Sequence, residues 1–266
     1  MKKTCTNPAD AITTPDYWEK AWAESEIPLA IDPGDLAPEN YFYQMLHDLF
    51  ASHLGAHCRP GAKLIEIGCG GSRWLPYFHK SFGYNVSGID YTVTGLELAQ
   101  SILKKANVDA QLVHGDLFKI PPEWREQFDV VVSFGLVEHF ENTSQVISAC
   151  SGYLRPGGHM ITLVPTMRGL YGLAYRMLRP SVYRKHVPHS LETLKKAHAD
   201  AGLNMRYCGY ILGLPGLLSA KANSGLLSRM TFALSRSYWS LERSGFGVPP
   251  NRFTSPYALC ILNKPL

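Results

Sequence analysis

Through the middle of the chain, short apolar segments rich in β-branched residues alternate with longer segments of helical periodicity. This alternation is typical of a parallel sheet that is covered by helices on both faces. The first five strands are predicted at residues 63–67, 85–89, 110–113, 128–133 and 159–164. The fourth segment is the most continuously apolar, which favours the central position, because both faces of such a strand are buried.

Helical segments connect these strands, and two further strands follow them. Helices are predicted at residues 72–82, 94–106, 143–154 and 190–201. Ser72 and Thr94 are expected N-caps, and a turn at residues 155–158 is expected to end the third helix. The closing strands are predicted at residues 204–212 and 256–263. The sequence therefore predicts an α/β fold with a doubly wound, seven-stranded Rossmann-like sheet.

The first predicted strand runs into a glycine-rich turn, residues 66–72, and then into a helix. Gly68 and Gly70 allow a ligand to approach the main chain, where backbone N–H groups and the positive end of the helix lie. Such a turn can serve several cofactors. A dinucleotide-binding turn needs a small residue at its third glycine position, which is Arg73 here, so pyrophosphate binding is disfavoured.

Acidic residues end the next two predicted strands. Asp90 lies twenty residues beyond Gly70, where a carboxylate can accept both ribose hydroxyls of an adenosine. Asp116 follows the third strand and suits an adenine amino group. Two carboxylates at neighbouring strand ends would repel a polyphosphate but attract a cationic sulfonium nucleoside.

These motifs resemble the class I S-adenosylmethionine-dependent methyltransferases, especially the small-molecule branch that contains the quinone-biosynthesis methyltransferases. The similarity covers about residues 63–164. Glu66, Gly68 and Gly70 match the first motif of the family, and Ser72 replaces its last glycine. That departure leaves the two central glycines of the motif in place.

Three further family motifs follow in order. The resemblance assigns Asp90 to the ribose, Asp116 to the adenine, residues 133–139 to the motif after the fourth strand and residues 154–158 to the LxPGG turn. It implies S-adenosylmethionine as the cofactor. The contacts that it implies come from Glu66, Gly68, Cys69, Gly70, Asp90, Tyr91, Asp116, Leu117 and Phe134.

Candidate catalytic groups lie after the fourth and fifth strands. Methyl transfer from a sulfonium is an in-line displacement, so the enzyme mainly positions the acceptor and supplies a base where the acceptor carries a proton. His139 is the first candidate for that base, and Glu138 could orient its imidazole or contact the cofactor. His186 and His189 lie in a basic stretch where this family carries a substrate lid. Each of these residues could instead be an ordinary polar residue without a catalytic role.

Near the N-terminus, Trp18 and Trp22 lie on one helical face at i, i+4 spacing. The pair resembles the N-terminal segment of thiopurine-type methyltransferases, where it closes over the cofactor. The alternative is a helix that docks both indoles onto the core.

The length of 266 residues suits one α/β domain with additional lid segments. The predicted division is an N-terminal helical lid at residues 1–57, a cofactor-binding Rossmann-like core at 58–165, and substrate cap segments with the last core elements at 166–266.

Charge is distributed unevenly along the chain. Residues 1–141 hold 19 acidic and 11 basic side chains, whereas residues 142–266 hold three acidic and 15 basic ones. Within the basic half, residues 168–179 and 217–238 form amphipathic helical patterns. Such helices can lie on an anionic membrane or close over an amphiphilic substrate, or their apolar faces can pack on the core. A functional surface here would favour a lipid-linked, quinone-like or phosphorylated acceptor.

Six cysteines are scattered without a CxxC pair, and the apolar runs are too short to span a bilayer. We therefore expect reduced thiols and a cytoplasmic protein, with peripheral contact at the inner face of a membrane as the alternative. No metal site is predicted, and the oligomeric state stays open.

Other functions compete with small-molecule methylation. The basic half could grip phosphates in a nucleic-acid methyltransferase. The amino-methylating kind carries an Asn/Asp-Pro-Pro-aromatic motif after the fourth strand to hold a flipped base, and this chain does not, so no nucleic-acid partner is expected. A non-catalytic protein that binds the cofactor would have the same motifs, and an NAD-dependent dehydrogenase is disfavoured by Arg73.

Overall fold

The computed structural model describes residues 11–37, 40–55, 61–214 and 226–266. Part of the predicted amphipathic segment 217–238, namely residues 217–225, lies outside these described residues. Within the described part, no helix is both long enough and apolar enough to cross a membrane.

A seven-stranded sheet forms the centre of the described chain, with the strand order β3-β2-β1-β4-β5-β7-β6. Strands β1 to β5 are parallel, and β7 runs antiparallel to both β5 and β6. The strands are β1 Lys63–Ile67, β2 Asn85–Asp90, β3 Ala110–His114, β4 Phe128–Phe134, β5 Leu154–Pro165, β6 Asn204–Ile211 and β7 Tyr257–Asn263. The predicted doubly wound, Rossmann-like sheet is confirmed.

Helices lie on both faces of this sheet and at its carboxyl edge. They are α1 Pro15–Ala23, α2 Tyr41–Leu54, α3 Trp74–Phe82, α4 Val93–Ala106, α5 Thr143–Ser151, α6 Gly169–Leu178, α7 Pro180–Tyr183, α8 Leu191–Asp200 and α9 Leu226–Arg243. Helix α8 begins with a capping box between Ser190 and Thr193, which satisfies the first amides of the helix.

Strand β4 is buried on both faces, as its continuous apolar sequence predicts. Val131 packs into one apolar cluster with Ile147 of α5, whereas Val130 packs into the other with Phe50 of α2. Successive side chains of a strand point to opposite faces, so one apolar segment joins both layers of the core. This layered core fixes the carboxyl ends of β1 to β4 at one edge, where the predicted site residues lie.

Local predictions are wrong at the start of α4 and at the start of β5. Thr94 is not the N-cap of α4, which begins at Val93, because the side chain of Glu19 in α1 accepts the amides of Val93 and Thr94 at 2.8 and 3.0 Å. The predicted turn at residues 155–158 lies inside β5, opposite a register shift in β4. It stays in the sheet because the main chain of Gly157 and Gly158 pairs with Lys264.

The expectation of six reduced cysteines is also wrong. Cys208 and Cys260 lie directly opposite one another on β6 and β7 and are joined by a disulfide. Of the other cysteines in the described residues, Cys69 and Cys150 are free and buried.

Candidate cofactor and acceptor site

The glycine-rich turn between β1 and α3 folds tightly around its own amides. The amides of Gly68 and Cys69 donate to the Ile89 carbonyl of β2, and that of Gly71 donates to the Gly95 carbonyl. Gly68 and Gly71 both have positive φ, which suits glycine. Because these amides already have partners, the turn offers a ligand close approach to the main chain more than a set of free donors.

Glu66 and Ser72 form a buried pair beneath this turn. The Ser72 hydroxyl donates to Glu66 and accepts the amides of Trp74 and Leu75 at 3.0 and 3.3 Å, so it satisfies the first amides of α3, although the N-cap residue is Arg73 and not Ser72 as predicted. This explains why a serine replaces the last glycine of the motif. Burial raises the pKa of Glu66 to about 8, and the nearby Asp90 carboxylate contributes in the same direction.

Asp90 ends β2 and holds the turn in place. Its Oδ2 accepts the Gly70 amide at 2.8 Å, and its Oδ1 accepts the amide and hydroxyl of Thr92 at 2.9 and 2.6 Å. The Tyr91 amide adds a further main-chain hydrogen bond to the same carboxylate. Burial raises the pKa of Asp90, and these hydrogen bonds oppose that rise.

Helix α1 packs directly over the same turn through Trp22. A Cβ at Gly70 would lie 2.6 Å from Trp22 Nε1 and 3.0 Å from Asp90 Oδ2, and one at Gly95 would lie 2.8 Å from Trp22 Cδ1. Glycine is therefore required at position 70 by a side chain distant in sequence. Trp18 stacks on Trp22 with ring centroids 5.7 Å apart, so both indoles lie along the rim of the candidate site.

Glu19 is the residue that sequence reasoning missed. It fixes α1 to α4, since its carboxylate accepts the first amides of α4 and the Thr94 hydroxyl. These bonds lower the pKa of Glu19, the hydroxyl bond being the largest cause. A carboxylate at the positive end of a helix is favourable. No sequence signal marks it, because the partner lies 74 residues away.

Two predicted cofactor contacts have side chains that point into the core. Cys69 is fully buried, and its Sγ would lie 2.5 Å from a Cβ at Gly88. The ring of Phe134 packs against Trp74 with centroids 4.8 Å apart and stacks on Phe50. Any contact of Cys69 or Phe134 with a ligand at the turn must therefore come from the main chain.

The remaining predicted cofactor residues lie at the ends of β2 and β3. Tyr91 follows Asp90 directly, and burial raises its pKa. Asp116 accepts the Phe118 amide at 3.0 Å and is half-buried, and Leu117 packs partly buried against the core. The main chain joins the two strand ends, because the Gly115 amide donates to the Asp90 carbonyl at 2.8 Å.

A short 3-10 helix, Val137–His139, follows β4 and carries Glu138 and His139. Both residues are buried, at 1% and 5% exposure. Their main-chain carbonyls accept the amides of Val187 and Ile12 at 2.7 and 2.8 Å, so this turn joins the N-terminal segment to the segment after α7. The His139 ring packs edge-on against Trp18, with centroids 5.0 Å apart.

The structure brings His186 to this turn but not His189. The rings of His139 and His186 have centroids 4.7 Å apart. Burial, with a contribution from His186, lowers the pKa of His139 to about 4, so its imidazole is neutral at pH 7. His189 is buried elsewhere; its pKa is lowered to about 4 by burial, with His198 contributing, and its Nε2 has no hydrogen-bond partner.

Residues 65–162 match a protein family described as a methyltransferase domain. A ubiquinone biosynthesis O-methyltransferase from Shewanella pealeana is 31% identical over 100 residues, which are 38% of this chain and 42% of the relative. The chain thus matches less than half the length of this relative. The resemblance to class I methyltransferases, and to those of quinone biosynthesis, is confirmed for the core.

Solved structures show the same fold over nearly the whole chain. Geranyl diphosphate C-methyltransferase from Streptomyces coelicolor, solved with Mg2+, geranyl diphosphate and S-adenosylhomocysteine, has a TM-score of 0.61 at 15% identity. That alignment covers 94% of this chain and 97% of the other. The cyclase SpnF has a TM-score of 0.64 at 14% identity, covering 97% of each chain. The fold is therefore that of the class I methyltransferases.

Proposed function

We propose that the protein is an S-adenosylmethionine-dependent methyltransferase that acts on a small-molecule acceptor. The observation that carries this proposal is the position of Asp90, whose carboxylate lies beside the Gly70 main chain at the carboxyl edge of a parallel sheet. A ribose hydroxyl can donate to that carboxylate while the rest of the cofactor lies along the glycine turn beside Trp22. In this assignment Tyr91, Asp116 and Leu117 face the adenine, and Glu66 and Gly68 support the turn.

In this proposal each of the three predicted segments has its own role in binding the cofactor or the acceptor. Residues 58–165 hold the cofactor, and residues 1–57 cover it through Trp18 and Trp22 of α1. Residues 166–266 supply the cap over the acceptor. Because Trp22 lies on Gly70 itself, α1 forms one wall of the proposed cofactor site.

His139 is the group we assign to the acceptor. Its Nδ1 lies 2.7 Å from the Lys185 carbonyl, which can only accept, so the neutral ring keeps its proton there and presents Nε2 as a base. The Oε1 of Glu138 lies 3.9 Å from this Nε2, so Glu138 is the carboxyl nearest to the proposed base. His186 lies beside His139, and His189 is the second candidate base.

Replacement of His139 by alanine is expected to leave S-adenosylmethionine binding unchanged and to slow turnover by at least about 100-fold, the usual range for loss of acid–base catalysis. The acceptor is first found by incubating the protein with labelled S-adenosylmethionine and fractions of a metabolite extract. Turnover of His139→Ala and His189→Ala is then compared with that of His53→Ala, a control on α2. Normal turnover of His139→Ala would remove this residue from the mechanism.

The acceptor itself is proposed to be amphiphilic or anionic. Helix α6 turns Leu173 and Met177 outward, at 51% and 72% exposure, on the helix that also exposes Arg176. These two side chains therefore do not pack on the core, although Tyr171 of the same helix is buried. An apolar surface bordered by arginines suits the interface of an anionic membrane, where a lipid-linked acceptor would lie.

Sedimentation with vesicles tests this membrane contact. The protein is expected to pellet with vesicles that contain anionic lipid at low salt, and less at high salt, because screening weakens the arginine contribution. Leu173→Asp should abolish pelleting, since it places a negative charge on the apolar face. Leu29→Asp, at a position 83% exposed outside α6, is the matched control. Equal pelleting of both variants would refute the proposal.

A further inference from the structure

Three side chains meet at the junction between the turn after β4 and the segment after α7. Glu138, His139 and His186 each place one nitrogen or oxygen atom so that these atoms all lie within 4.8 Å of one another. Two of the three are almost fully buried. The segments that carry them are joined by main-chain hydrogen bonds, so the arrangement is part of the fold.

The two imidazoles are held in the same tautomer. Nδ1 of His139 lies 2.7 Å from the Lys185 carbonyl, and Nδ1 of His186 lies 2.8 Å from the Val182 carbonyl. A carbonyl oxygen only accepts, so each neutral ring carries its proton on Nδ1 and leaves the Nε2 lone pair free. A backbone carbonyl on one ring nitrogen is the usual support for a histidine that binds metal through the other.

The Glu138 carboxyl group lies at the same place and lacks a hydrogen-bond partner on one oxygen. Its Oε2 is buried and has no hydrogen-bond partner, and its Oε1 faces His139 Nε2 at 3.9 Å. That distance is too long for a hydrogen bond, and both atoms are acceptors when the carboxylate is ionised. The Lys185 ammonium does not neutralise this carboxylate, because it lies 3.7 Å from the centroid of the Tyr17 ring. A cation bound here would give the buried Oε2 a partner.

We propose that Glu138, His139 and His186 bind one divalent transition-metal ion. Two imidazoles and one carboxylate favour zinc, iron(II) or cobalt(II) over magnesium and calcium, which prefer oxygen ligands. His186 lies on an irregular segment and is less buried than the other two, so it is the ligand that can move most easily toward a bound ion. Three protein ligands leave open positions on the metal for water or for an oxygen of a bound molecule.

A consequence for catalysis rests on the proposed function. A metal at His139 Nε2 would occupy the lone pair that otherwise serves as the base. An acceptor hydroxyl bound to that metal would release its proton to water more readily, because the cation stabilises the oxyanion. The oxyanion would then take the methyl group from the sulfonium sulfur, and S-adenosylhomocysteine would leave. The protein with metal bound would then favour an acceptor that is methylated on oxygen.

The test uses the full chain, stripped with a chelator and titrated with Co2+ alone, followed by visible absorption and by competition with Zn2+. One equivalent is expected to bind. Glu138→Gln and His186→Ala should each weaken binding by at least about tenfold, since even loss of a supporting group costs that much. His53→Ala is the matched control and should bind like the wild type. Quenching of tryptophan fluorescence by Co2+ should fall in Trp18→Phe, because Trp18 touches His139.

Failure can be assigned to one proposal or the other. Weak, non-stoichiometric binding to the wild type, or equal binding to His186→Ala and His53→Ala, would overturn the metal site. Circular dichroism of each variant establishes that it is folded before titration. S-adenosylmethionine binding is measured separately on the metal-free protein. If the protein binds the cofactor but not the metal, the metal site is refuted and the proposed function is retained. If it binds the metal but not the cofactor, the proposed function is refuted and the metal site is retained.

Discussion

Replacement of Asp90 by alanine is expected to weaken S-adenosylmethionine binding by at least about tenfold, the cost of a lost hydrogen bond to a charged group. The structure adds a second cost, because the amides of Gly70 and Thr92 lose the acceptor that holds the glycine turn. Isothermal calorimetry with S-adenosylmethionine measures the affinity. Unchanged affinity would remove the cofactor assignment.

A conservative variant and a control variant extend this test of Asp90. In Asp90→Asn, one side-chain position becomes a donor and must face either the Gly70 amide or the Thr92 groups, which are donors as well. We therefore expect Asp90→Asn to lose affinity although its size is unchanged. Asp109→Ala, an exposed carboxylate just before β3 and at the opposite edge of the sheet, should bind as the wild type does.

Replacement of Gly70 by alanine is expected to reduce both stability and cofactor affinity. The new methyl group would lie 2.6 Å from Trp22 Nε1 and 3.0 Å from Asp90 Oδ2, so α1 must move or the turn must open. Overpacking of this kind costs about 1–3 kcal/mol. We expect a lower midpoint of thermal unfolding and a loss of at least about tenfold in S-adenosylmethionine affinity, because the Asp90 carboxylate is displaced as well.

The double variant Gly70→Ala with Trp22→Ala tests the cause. If the indole is the obstacle, the double variant should be more stable than the sum of the single changes predicts, which a double-mutant cycle detects. Gly55→Ala is the matched control, because Gly55 has ordinary helical φ and no atom within 4 Å of a new Cβ. Strict additivity, or an equal loss in Gly55→Ala, would contradict the assigned contact.

A protein of different chemistry shares this fold. SpnF, a cyclase, aligns over nearly the whole chain, so the arrangement of strands is compatible with different chemistry. The experiments on Asp90 and Gly70 address cofactor binding, and those on His139 address turnover. A protein that binds S-adenosylmethionine but transfers no methyl group to any acceptor would be a non-catalytic member of this fold.

Local sequence patterns predicted where much of the candidate site lies in the fold, because strand ends and turns are formed by consecutive residues. The glycine turn, Asp90 and Asp116 all follow strands, and parallel strands bring their carboxyl ends to one edge. The same reasoning placed Glu138 and His139 after β4. It could not say which way Cys69 and Phe134 point, because that depends on the register of the sheet and on the helices packed against each face.

The sequence by itself determined the alternation of strands and helices, the doubly wound sheet and the acidic strand ends, since hydrophobic periodicity and turn residues act over short distances. Tertiary structure decided three things that join distant segments. Glu19 caps α4, Trp22 covers Gly70, and His186 comes to lie beside His139. Each contact depends on how separate elements dock, and no pattern within one segment specifies the position of another.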